Sequence, residues 1–81
     1  MQLIKNFRTF DLAVQFYRET QALNLTGPGR DQLRRAAYSI ALNLAEGRGS
    51  RSKRQQRRFF DIAMASLREC QAVLRIEALE D

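Results

Sequence analysis

Apolar side chains recur along this chain at the three- and four-residue steps of a helix, in three blocks separated by breaks rich in glycine. In the first block Leu12, Ala13, Phe16, Tyr17, Thr20 and Leu23 form a broad stripe and predict a helix over about 10–24. The segment Leu25-Thr26-Gly27-Pro28-Gly29 should interrupt it, because proline lacks a backbone donor and two glycines permit turn geometry. The second block, Leu33, Ala36, Ala37, Ile40 and Leu44, predicts a helix over about 30–48, with alanines that let a neighbour come close. Gly47 and Gly49 are the expected stop, since a glycine just past the last periodic residue is a common helix ending.

The third block is the most regular. Phe60, Ala63, Leu67, Cys70 and Leu74 step by three, four, three and four, and Phe59, Ile62, Val73 and Ile76 widen the face. Ser52, with Gln55 three residues on, has the spacing of a capping box, so a helix is expected over about 52–79. From Lys53 to Leu79 it would be roughly 40 Å long, more than the short first helix can cover. The expected fold is therefore all-α, an antiparallel helical bundle of three helices in one domain spanning 1–81.

A chain of 81 residues buries only roughly 60% of its unfolded surface, so its core is small and oligomerisation is the obvious supplement. One cysteine, Cys70, leaves no partner for an intramolecular disulfide, and no apolar run has the length of a signal peptide or a membrane span. A cytoplasmic protein without a membrane role is expected.

The net charge of +5 is unevenly spread. Residues 1–47 carry six bases against four acids, residues 48–58 carry six bases and no acid, and residues 59–81 carry two bases against five acids. The excess therefore sits in the turn before the third helix: Arg48, Arg51, Lys53, Arg54, Arg57 and Arg58. Arg48 and Arg51 suit the negative C-terminal end of the second helix. Lys53, Arg54, Arg57 and Arg58 do not suit their place, because they crowd the positive end of the third helix and repel one another at helical spacing. That frustration points to an anionic partner, with RNA or DNA the expected one and phosphate contacts the expected mode. The alternatives are a solvated face and an intersubunit or adaptor contact with acids such as Glu77, Glu80 and Asp81. Arg30, Arg34 and Arg35 are second-rank candidates, and Phe59 and Phe60 adjoin the cluster where a base could stack.

Enzyme chemistry is not visible. There is no histidine, the commonest general base and transition-metal ligand. The two G-x-G runs, Gly27-Pro28-Gly29 and Gly47-Arg48-Gly49, lack a third glycine and a preceding strand, so they read as turns and not as nucleotide fingerprints. Cys70 falls on an apolar stripe and reads as a small buried hydrophobe. No cofactor and no metal is expected.

Ser39, Asn43 and Glu46 share one flank of the second helix, and Ser66 and Glu69 one flank of the third. These predict a layer of hydrogen bonds between the two helices, with Asn43 or Glu46 bonding backbone at the Gly47 turn and Glu69 pairing with Arg34 or Arg35.

The residues Gln32-Leu33-Arg34-Arg35-Ala36-Ala37, Ser39-Ile40, Asn43-Leu44-Ala45-Glu46-Gly47, Gly49, Ser52-Lys53, Phe59, Ile62-Ala63, Ser66-Leu67 and Glu69 together resemble the small four-helix bundle proteins first noticed as products of rRNA intervening sequences. Their relatives include the accessory variability protein of diversity-generating retroelements. The resemblance runs from about Phe7 to Leu74. It implies an antiparallel bundle assembling as a homopentamer with a basic surface for RNA or DNA, and a reverse transcriptase or other protein as a further partner. By it, Arg48 to Arg58 belong to the nucleic-acid surface, and Ser39, Asn43, Glu46, Gly47, Ser66 and Glu69 to the family's interhelix layer. Two departures stand out: Ala41 and Leu42 lie where members often carry a proline, and the family's fourth helix has no counterpart after the third, as in a shortened form.

Overall fold

A computed structural model describes residues 7–78 and contains three helices: α1, Arg8–Gln21; α2, Gly27–Gly49; and α3, Lys53–Ile76. Each element answers to its sequence, with instructive shifts at the ends. α1 places Asp11 in its first turn and Arg18 in its last, both favourable toward the helix dipole. α2 starts three residues before its expected start, because Pro28 sits in the first turn, where the amide it lacks has no helical partner anyway. Gly27, at φ 65°, makes the left-handed entry that a side chain would resist.

The expected glycine stop at the end of α2 does not operate as such. Gly47 and Gly49 both lie inside the helix, and neither has a positive φ. Ser50 closes the helix: its backbone turns extended, its Oγ donates to the Glu46 carbonyl at 2.7 Å, and its N–H to the Gly47 carbonyl at 3.2 Å. Gly47 is needed for a different reason. It is buried, and a Cβ there would run into the Phe60 ring, whereas a Cβ on Gly49 would meet nothing within 4 Å. Alanine should therefore act in opposite senses at the two positions. Gly49→Ala is expected to raise stability by about 0.5–1 kcal/mol through helix propensity. Gly47→Ala is expected to lower it by about 1 kcal/mol, because overpacking outweighs that gain. Urea denaturation midpoints of the two variants check both signs.

α3 begins as its sequence says, with Ser52 Oγ accepting the Gln55 N–H at 3.0 Å. It ends at Ile76, with Ala78 at φ 59° in the turn that follows and basic Arg75 in the last helical turn. Glu77, a charge unfavourable to its own helix end, finds compensation across the bundle. Its carboxylate lies against Gly29 in the first turn of α2, a helix N-terminus with no acid of its own.

α2 is the central helix. α1 and α3 pack on it antiparallel, from different sides, and their backbones share no Cα pair within 8 Å. The core is built from Leu33, Ala36, Ala37 and Ile40 of α2, Ala13 of α1, and Cys70 and Val73 of α3. Phe16, Tyr17, Leu44, Leu67 and Leu74 are partly buried around it. With so many small residues the helices approach closely while the buried volume stays modest, and α2 continues unbroken through Ala41 and Leu42.

Candidate nucleic-acid interface

The antiparallel order brings the start of α1, the end of α2 and the start of α3 to one end of the bundle. The cationic side chains gather there. Arg51, Lys53, Arg54, Arg57 and Arg58 are all exposed, the last four within the first two turns of α3. Four-residue spacing puts Arg54 directly below Arg58, and Lys53 directly below Arg57, giving two parallel cationic lanes. Arg54, Arg57 and Arg58 border a shallow depression of about 400 Å³ floored by Ile62 and Ala65, with Asp61 at its edge. Arg48 is set apart: its guanidinium stacks over the Phe7 ring at 4.8 Å, and Phe7 in turn stacks with Phe10 at 6.4 Å. Arg48 thus ties α1 to the end of α2 and carries part of its charge inward.

Arg8, the first residue of α1, is exposed at this same end and adds a cation that sequence spacing does not reveal. Only the antiparallel return of the chain brings it close. Arg30, Arg34 and Arg35 lie elsewhere. Arg34 is roughly 20 Å from Arg48 along α2, and Arg30 and Arg34 instead line a cavity of about 50 Å³ beside Thr20 and Leu25. Phe59 and Phe60 are both half-buried, and the Phe60 ring is committed to Gly47.

The polar residues between α2 and α3 form a seam. Ser66 Oγ donates to Ser39 Oγ at 2.8 Å, and Asn43 Nδ2 donates to Ser39 Oγ at 3.0 Å and to the Ser39 carbonyl at 2.9 Å. The Asn43 amide therefore reaches back one turn, in the direction helical side chains lean, and not forward to the Gly47 turn. The Gly47 carbonyl is instead satisfied by Gln56, whose Nε2 donates at 3.2 Å, a contact the sequence reading missed. Glu69 accepts from Gln32 and not from Arg34 or Arg35. Gln32 lies in the lane of Ala36, Ser39 and Asn43, which faces α3, while the two arginines are rotated away. Glu46 is exposed on the outside of α2. Among the described residues no buried side-chain nitrogen or oxygen lacks a partner, so the seam is a fully satisfied packing device.

Cys70 is fully buried, and burial pushes its thiol up to about 11, with the neighbouring Glu69 charge adding to the shift. A thiol so protonated is an inert core group. Among the described residues no three His, Cys, Asp or Glu side chains come together as a metal site, and no helix is long and apolar enough to cross a membrane.

A helical bundle with a polar seam joining two long helices and a cationic end defines the class of protein. The chain belongs to the 23S rRNA-intervening sequence protein family, whose model matches residues 2–79. No curated protein and no solved structure matches it.

Proposed function

We propose that the protein is a binding module and not a catalyst: a homo-oligomeric bundle that captures RNA or DNA through phosphate contacts from its cationic end. The observation that carries the reading is the concentration of exposed Arg51, Lys53, Arg54, Arg57 and Arg58 about the N-terminus of α3, a placement that opposes the helix dipole. A surface selected for folding alone would place acids there. Phosphates supply the missing negative charge without sequence preference, because backbone contacts carry none. Oligomerisation is supported by the small core and by large apolar side chains left exposed, among them Leu12, Tyr38, Leu42 and Met64.

The competing reading is a structural oligomer or adaptor whose cationic end meets an acidic protein. Purification at low salt separates the two. Nucleic acid is expected to co-purify, seen as excess absorbance at 260 nm in a protein without tryptophan, and to be lost on nuclease treatment or a high-salt wash. Material free of nucleic acid that retains an acidic protein would favour the adaptor.

A further inference from the structure

α2 has an outer ridge that neither α1 nor α3 covers. Arg35, Tyr38, Leu42 and Glu46 follow one another at steps of three, four and four and so fall in one line along the helix. All four are exposed, Tyr38 by 55% and Leu42 by 46%. The tyrosine is held in place by Tyr17 of α1, edge to face at 5.6 Å. Beside the ridge, between α1 and α2, runs a largely apolar groove of about 340 Å³ with Val14, Ala41 and Ala45 among its lining.

The order of chemistry along the ridge selects its partner. It has an apolar centre and opposite charges at its two ends, so it is complementary to its own reverse. If a second copy lies antiparallel across it, Tyr38 of each copy faces Leu42 of the other, and Arg35 of each faces Glu46 of the other. The register closes numerically. About an axis midway between Arg35 and Glu46, each charged residue lies roughly 8 Å along the helix on opposite sides. A two-fold axis makes every contact twice, which is the economy of an isologous interface. An unrelated acidic or basic partner would leave one end of the ridge facing a like charge.

We propose that this ridge is the contact between two copies of the chain, related by a two-fold axis near the middle of α2. The proposal rests on the oligomeric part of the reading above and specifies its surface. None of its residues belongs to the cationic end, so oligonucleotide binding and this interface can fail separately.

Sedimentation velocity of the full chain, with circular dichroism as a fold control, tests it. The native chain is expected to form a dimer. Arg35→Glu, which sets carboxylates against each other at both ends, is expected to raise the dimer dissociation constant by about tenfold or more. The double variant Arg35→Glu with Glu46→Arg is expected to restore it, since the swap recreates both pairs. Leu42→Asp should abolish the dimer while the helical spectrum is kept. A native chain that stays monomeric across the micromolar range would overturn the interface and the oligomeric reading together. An oligomer of five chains, one indifferent to Leu42→Asp, or one not rescued by the charge swap would overturn the interface alone, and an oligonucleotide titration of the same material would still report on the cationic end.

Discussion

Replacing Arg54, Arg57 and Arg58 together by glutamine is expected to abolish most of the affinity for RNA and DNA and, in the same protein, to raise thermal stability slightly. Both effects come from one cause. Each arginine that neutralises a phosphate releases counterions and contributes about 0.7–0.9 to the slope of log affinity against log salt, so losing three should flatten that slope by roughly 2–3. The same three side chains sit exposed in the first two turns of α3, where they oppose the helix dipole and repel one another. Removing each repulsion should return a few tenths of a kcal/mol. Fluorescence anisotropy of labelled oligonucleotides reads the first effect, and a melting curve by circular dichroism the second. If these arginines served folding or subunit packing, the melting temperature would fall.

Leu33→Ala should have the largest effect on stability, a loss of about 2–5 kcal/mol. Leu33 is 1% exposed, and it and Cys70 are the largest side chains fully buried in the molecule. Its neighbours Ala36, Ala37 and Ala13 are too small to close over the cavity. In a domain of this size each kcal/mol shifts the melting temperature by about 4–8 °C, so a fall of 10 °C or more is expected in a thermal scan. Leu12→Ala is the contrasting case. Leu12 is more than half exposed, and its truncation is expected to cost under about 1 kcal/mol. Equal losses at the two positions would mean that the core lies elsewhere.

The helices were legible because their stripes are periodic over many turns, and the all-α bundle follows from that alone. The ends were less so, for reasons that can be named. Pro28 reads as a breaker, but in a first turn it costs nothing, so α2 begins earlier than the proline suggests. Gly47 reads as a stop, yet its role is to admit the Phe60 ring, a fact of tertiary approach that no local pattern encodes. Glu77 reads as a misplaced charge until the N-terminus of α2 is seen beneath it.

The polar seam was half legible. Helical spacing put Ser39 and Asn43 on one flank and Ser66 opposite, and these three do join. The partners of Glu69 and of the Gly47 carbonyl proved to be glutamines, Gln32 and Gln56, because position around the helix outranks charge in deciding who meets whom. In the cationic end, the arginines of α3 could be picked out from charge order alone. Arg8 could not, since it arrives by topology, and the inward stacking of Arg48 on Phe7 likewise needs α1 in place.

The most direct test of the account is a titration of labelled RNA and DNA oligonucleotides with the native chain at several salt concentrations, read by anisotropy. The account predicts binding to both at low salt, with log affinity falling linearly and steeply as log salt rises and little difference between sequences. No binding at low salt, or binding indifferent to salt, would contradict it and turn attention to acidic protein partners.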